Sequence, residues 1–299
     1  MAISRQFDWA KIHQAIEEKT GKGGNFGRPD EHLYSIKLDE TGKGSAIIRF
    51  LPPKEGEAMP WVERYNHGFQ GANSWFIEDC PTTIGKPCPV CEYNKAHRSE
   101  YSDGKQNPRK RRVNYYSNIL VIRDPACPEN EGKVFRYRYG RSIFKMIMDK
   151  ISPQSEIDTP VEIFDYYKGA NFKLKVTSQS IPGYKKPVPN YQTSTFAEPG
   201  PIILNGEVAT DEMIEKIDKQ LYSLEELIKP DNFKSYDELS SKFAKAANVF
   251  VGVQPRAEAA AEPTPEPAPE PAPKAESAGM KDTDEESDDE FFAKLRSEG

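Results

Sequence analysis

Apolar and polar residues alternate in short runs along most of the chain, the period expected of half-buried strands. LYSIKL (33–38), DETGKG (39–44) and SAIIRFL (45–51) read as strand, turn and strand, together a β-hairpin. Further strands are predicted in WVERYNHGF (61–69), SWFIE (74–78), NYYSNILVI (114–122), KVFRYRY (133–139), VEIFDYY (161–167) and NFKLKV (171–176). Helical spacing is confined to about 89–98, 140–151, 211–228 and 235–248, and to residues 5–19, where Phe7, Trp9, Ile12 and Ile16 precede the glycines of TGKGG. That first helix reads equally as a docking arm or as a terminal helix packed on its own domain. The whole pattern predicts an α+β, mainly β protein: an antiparallel β-barrel such as an OB-fold, elaborated by insertions.

After Val253 the pattern stops. PRAEAAAEPTPEPAPEPAPKAESAG is rich in Pro and Ala and has no aromatic residue, so it reads as an extended linker that cannot bury enough surface to fold. It leads to DTDEESDDE and then Phe291, Phe292 and Leu295, which suggests a short motif for partner proteins, with Asp288, Asp289, Phe291 and Phe292 at its centre. Three segments follow: an arm over 1–24, a core over 25–253 and a disordered acidic tail over 254–299. Charge divides in the same way. The chain carries a net −6, but residues 255–299 hold 13 acids against 5 bases, which leaves about +2 for everything before them. No run of about 18 apolar residues occurs and the opening residues lack a signal-peptide pattern, so neither a membrane nor secretion is expected.

Three of the four cysteines fall in CPTTIGKPCPVC (80–91), and His67 precedes Cys80 with twelve residues between them. The pattern His67, Cys80, Cys88, Cys91 offers one imidazole and three thiolates, a closed tetrahedral set for one structural Zn2+. In a reducing interior, clustered thiols point to metal before disulfide. His97 and Cys127 are rival ligands. The Pro-Cys-x-x-Cys half of the zinc-deaminase signature is present, but Gly68 and Phe69 follow His67 where that chemistry needs a glutamate, so a structural metal without catalysis is favoured.

Residues 105–145 hold eleven Lys/Arg against three acids, with aromatic residues between them. Arg109, Lys110, Arg111 and Arg112 stand just before Tyr115 and Tyr116. In KVFRYRYGR, strand alternation puts Arg136 and Arg138 on one face and Phe135, Tyr137 and Tyr139 on the other. Cations for phosphates and flat rings for unpaired bases, each stack worth roughly 1–3 kcal/mol, suit a groove for single-stranded nucleic acid. The plainer alternative is that the rings are core and the cations a solvated face.

NHGF, CPVC, SNILVIRDPACPENEGKVFRYRYG and GANFKLKV together resemble the single-stranded DNA-binding, or helix-destabilising, proteins of T-even-type bacteriophages, over about residues 33–250. The resemblance implies an OB-fold core with an inserted zinc subdomain at about 60–130, holding one zinc on His67, Cys80, Cys88 and Cys91. It implies a cleft at Arg111, Arg112, Tyr115, Tyr116 and Tyr137, with Tyr93, Tyr101, Tyr184 and Tyr191 as further candidates. Cooperative, largely sequence-independent coating of single-stranded DNA in viral replication, recombination and repair is also implied. So are self-association through the N-terminal arm and recruitment, by the acidic tail, of a replicative DNA polymerase, a helicase loader, a primase-helicase and a recombination mediator. The setting implied is the bacterial host cytoplasm, at viral replication forks. The family's arm has a basic cluster followed by Ser/Thr. Only Ser4 and Arg5 match it here, so self-association either rests more on the helix of Phe7, Trp9 and Ile12 or is weaker. RNA remains a competing ligand, because no residue reads as a 2′-hydroxyl sensor.

Overall fold

The computed structural model describes residues 30–98, 107–155, 157–180 and 187–247. The chain divides into a unit of Met1–Val249 and a second of Phe250–Gly299, and the described residues all belong to the first. The arm residues Ser4, Arg5, Phe7 and Trp9, the tyrosines Tyr101 and Tyr184, and the tail residues Asp288, Asp289, Phe291 and Phe292 lie outside them.

The strands are β1 (Leu33–Tyr34), β2 (Gly44–Phe50), β3 (Val62–Gln70), β4 (Trp75–Asp79), β5 (Arg112–Arg123), β6 (Val134–Tyr139), β7 (Ala170–Gln179), β8 (Val188–Asn190), β9 (Thr195–Pro199), β10 (Ile203–Leu204) and β11 (Glu207–Val208). The α-helices are α1 (Pro89–Ala96), α2 (Arg141–Ile151), α3 (Asp211–Asp218) and α4 (Tyr236–Ala247). The protein is therefore mixed α+β and mainly β.

The long strand β5 organises the sheet. Tyr115 and Tyr116 pair with β3 on one edge and with β6 on the other, and farther along Ile119 and Leu120 pair with β2 and β6. One edge of β5 thus passes from β3 to β2, while β2 carries β7 on its far side. Alternation explains why β5 tolerates this. Val113, Tyr115, Ile119 and Val121 enter the main core with Ile48, Phe50, Tyr137, Tyr139 and Phe172. Leu120 enters a second cluster with Leu51, Val134 and the α3 residues Ile214 and Ile217. With both faces covered, residues 117–121 are all buried. A third apolar group joins the β3–β4 ribbon to α1 and α4: Phe69 stacks on Phe76 at 5.2 Å, and Phe243 meets Phe69, Phe76 and Tyr93 edge-on.

Two sequence expectations are corrected. LYSIKL and SAIIRFL do not form a hairpin. The turn exists, with Asp39 Oδ1 accepting from the backbone N–H of Thr41 and Lys43, but β5 and β7 occupy both edges of β2. Only Leu33 and Tyr34 of the first segment are strand, parallel to β6. VEIFDYY is a loop: Asp165 Oδ1 caps the N–H groups of Tyr167 and Lys168, and the buried Arg49 guanidinium donates to the carbonyls of Asp165, Tyr166 and Gly200. The short strands β8 to β11 have no counterpart among the expected elements.

Candidate metal centre and nucleic-acid interface

β3 delivers His67, buried, from the side of the ribbon that faces α1. Cys80 ends β4 and caps a 3-10 turn, Pro81–Ile84, which Gly85 closes in the left-handed conformation at φ 71°, a backbone state glycine adopts without strain. Cys88 caps α1 in extended conformation, with Pro89 at the first helical position, where its fixed φ fits and no N–H is needed. Cys91 follows within the first turn of the same helix.

The four ligand atoms lie within 4.8 Å of one another. Cys80 Sγ is 3.6 Å from Cys91 Sγ, and His67 Nε2 is 3.5 Å from Cys88 Sγ and 3.4 Å from Cys91 Sγ. Zinc–sulfur bonds of about 2.3 Å and zinc–nitrogen bonds of about 2.0 Å at tetrahedral angles put ligands about 3.5–3.8 Å apart, so the donor set fits such an ion. His67 Nδ1 donates to the Arg109 carbonyl at 2.9 Å, which leaves the Nε2 lone pair turned towards the sulfurs. Burial works against charging this ring, but the Cys80 and Cys88 thiols outweigh it and hold its pKa up to about 9. Hydrogen bonds from Cys88 and Cys91 push the Cys80 thiol down, and the same kind of contact pushes Cys91 up. A group that could hold a metal ion is therefore present. The rival ligands are elsewhere: His97 stacks on Tyr93 at 3.9 Å, and Cys127 donates its backbone N–H to Asp124 Oδ1 at 3.1 Å.

The basic segment is tied directly to this centre. The Arg109 carbonyl also accepts from Asn94 Nδ2, and its guanidinium lies over Tyr93 at 4.9 Å. Arg111 sits over Tyr65 at 4.0 Å and donates to Thr82 Oγ1, which itself contacts Cys80 Sγ at 3.1 Å. Tyr93 is thus engaged by His97, Phe243 and Arg109, so it acts as a post of this lobe. Lys110 is exposed.

The remaining candidates separate by sheet face. Tyr116 pairs directly with Arg138 across β5–β6, and Arg112 is on the same face of β5 four residues away. Through β3 that face continues to Arg64, opposite Asn114, and to Asn66, opposite Arg112. Asn114 Nδ2 donates to Asn66 Oδ1 at 3.1 Å, and Arg64 pairs with Asp79 at 2.7 Å. Burial raises the Asp79 pKa against the opposing pull of Arg64. Among the described residues Arg112 and Arg138 have no ion pair or hydrogen bond, and Tyr116 is half-buried with no ring contact.

Other candidates are placed differently from the sequence reading. Tyr115, Tyr137 and Tyr139 are core residues, 7%, 5% and 3% exposed, because their strand parity turns them inward, and their rings stack on Phe144 and on each other. Arg136 shares the face of Arg138, but it is held by Asp30 at 2.8 Å and lies over Tyr222 at 5.5 Å. Tyr191 packs against the main core. Arg64, Asn66 and Asn114 were not among the sequence candidates, although alternation in WVERYNHGF already sets Arg64 and Asn66 opposite His67.

The family profile described as "gp32 DNA binding protein like" matches residues 42–247, well over half of the chain. The chain belongs to this family. It is similar to the single-stranded DNA-binding protein of Enterobacteria phage T2, 37% identical over 240 residues, which cover 79% of this chain and 76% of that one. It is also similar to the single-stranded DNA-binding protein of Enterobacteria phage T4, 36% identical over 246 residues covering 81% and 78%. The matched range of this gp32-like chain contains the whole His/Cys set and every strand of the basic face.

Proposed function

We propose that this protein is a non-catalytic phage single-stranded DNA-binding protein, and that the outer face of β5 and β6 receives the strand. The observation that carries this is the register that sets Arg112, Tyr116 and Arg138 on one face, two cations without partners among the described residues beside a ring free to stack. Phosphates engage the guanidiniums and a base lies on Tyr116, which needs no sequence code and excludes a paired helix. Membership of the gp32-like family and similarity to the single-stranded DNA-binding proteins of phages T2 and T4 support the same ligand.

The metal read here is one structural zinc. Four protein donors complete its shell and leave no position for water, and the nearby Glu78 is occupied by Lys234 and Lys242, both at 2.7 Å. The zinc would fix the lobe to which Arg109 and Arg111 are tied. We also read the sheet as OB-type: β2 is shared between β5 and β7 with a register shift at Ile47/Ile48, and β7 pairs in turn with β9, a coiling that supports closure. Cooperative coating through the arm, recruitment of polymerase, helicase loader, primase-helicase and recombination mediator by the acidic tail, and action at replication forks in the host cytoplasm complete the reading. No helix among the described residues is long and apolar enough to cross a membrane.

The test is a titration with single- and double-stranded DNA and RNA oligonucleotides of equal length at two salt concentrations, with zinc measured on the same sample. Strong preference for single-stranded DNA, weakening steeply with salt, is expected; preference for duplex or RNA refutes the reading. Removing residues 255–299 should tighten binding at low salt, since the tail's net negative charge competes with phosphate, and unchanged affinity removes that role.

A further inference from the structure

We propose that the β3–β4 ribbon carries a second base-stacking platform, formed by Trp75, Ile77 and Gly68, on which a single strand continues beyond Arg112. This rests on the reading of the β5–β6 face given above and extends it to residues outside the basic segment.

Register places the platform. Asn66 pairs with Arg112 on one edge of β3 and with Asp79 on the other, so these three share a face. Along the ribbon, Gly68 pairs with Ile77 and Gln70 with Trp75, two and four residues farther on. Side chains two apart point the same way. Trp75, Ile77 and Gly68 therefore belong to the face that carries Arg64, Arg112, Tyr116 and Arg138.

The fold makes no use of these groups. The other side of the ribbon is filled: Phe69, Phe76 and Phe243 close there against α4. On the near side Trp75 is 62% exposed and Ile77 39% exposed, and the indole has no ring contact or hydrogen bond among the described residues. A Cβ added at Gly68 would meet nothing within 4 Å, so the strand is open directly beside Ile77. A glycine within a strand and with free space above it is a place where a ligand can lie close to backbone. Asp79, the carboxylate on this face, is offset by Arg64 at 2.7 Å, and Gln70 is neutral.

Nucleic acid is the occupant that this continuity favours. Trp75 and Tyr116 lie four residues to either side of the Asp79–Asn66–Arg112 row, about 28 Å apart on a flat register. A groove of that length falls within the roughly 4–16 nucleotides that one OB-type site covers. Arg112 stands between the two rings, where phosphates would pass, and Arg138 lies beside Tyr116.

The experiment uses the full chain with labelled oligo-dT of about 5 and about 12 nucleotides, read by anisotropy and by quenching of intrinsic tryptophan fluorescence. Trp75→Ala should weaken the longer oligomer about tenfold and leave the shorter one unchanged, and Trp75→Phe should keep most of the affinity. In a Trp9→Phe background, Trp75→Phe should also remove most of the DNA-induced quenching, because the third tryptophan, Trp61, packs on Phe144 and Phe164. Tyr116→Ala and Arg112→Ala serve as references. If they weaken binding while Trp75→Ala does not and the quenching survives Trp75→Phe, the platform is refuted and the β5–β6 site stands. If none of the variants changes binding, the site itself fails. Unchanged oligomer affinity with reduced self-association assigns the patch to a second copy of the chain and overturns the proposal. A melting curve for each variant confirms folding, and Trp75→Phe keeps the test valid should Trp75→Ala be unstable.

Discussion

Arg112, Arg138 and Arg136 lie on one sheet face, yet they should behave differently when changed to alanine. Arg112 and Arg138 have no ion pair or hydrogen bond among the described residues, whereas Arg136 is committed to Asp30 at 2.8 Å and to the Tyr222 ring at 5.5 Å. A phosphate contact on a single strand contributes about 0.7 to the slope of log affinity against log salt. Losing Arg112 and Arg138 together should flatten that slope by about 1.4. Between about 50 and about 200 mM salt, each lost contact removes about 2.6-fold of the salt effect, so the double variant should lose about sevenfold less affinity over this range than the parent. Arg136→Ala should leave the slope within error and instead cost about 0.5–1 kcal/mol of stability, the worth of a partly exposed ion pair. The assay is anisotropy with a fixed oligo-dT across a salt series, paired with urea unfolding. Equal slopes for the parent and the Arg112/Arg138 double variant, or a slope loss on Arg136→Ala, would refute the assignment of phosphates to the unpartnered pair.

Cys88→Ser, or treatment with a strong chelator, should release one metal equivalent and lower the melting temperature by at least about 6 °C, since loss of a structural metal removes several kcal/mol from a domain of this size; metal-free protein with unchanged melting would remove the metal centre. Thr82→Val deletes the hydroxyl between Cys80 Sγ and Arg111 and should weaken metal retention about tenfold in a chelator competition without unfolding the protein, as is typical of groups that orient ligands. Arg49→Met strands the carbonyls of Asp165, Tyr166 and Gly200 and should cost about 3 kcal/mol, read as a lower urea midpoint; an unchanged midpoint would show that this buried guanidinium does not hold the loop.

Local chemistry was legible in the sequence. The spacing of His67, Cys80, Cys88 and Cys91 picked out a donor set that could hold a metal because Pro-framed turns and a short helix fix where those donors go, and β3 to β7 followed from alternation because a two-residue period is a property of the strand itself. Alternation likewise separated Arg138 from Tyr137 and Tyr139. It could not tell which side was core. That was decided by α2 and β7, whose Ile143, Ile147 and Phe172 close over the tyrosine side and leave the arginine side to solvent. Pairing partners were undetermined for the same reason. Nothing local distinguishes a hairpin between β1 and β2 from the observed parallel β1–β6 contact, which arises because β5 and β7 saturate both edges of β2. The sequence by itself therefore determined strands β2 to β7, a donor set that could hold a metal and the two-sided character of β5 and β6, all properties of residues a few positions apart. Tertiary structure alone decided which cations remain unpaired. Asp30 meets Arg136 from 106 residues away, α4 meets the ribbon near Trp75, and long-range contacts of this kind obey no short period that a sequence displays.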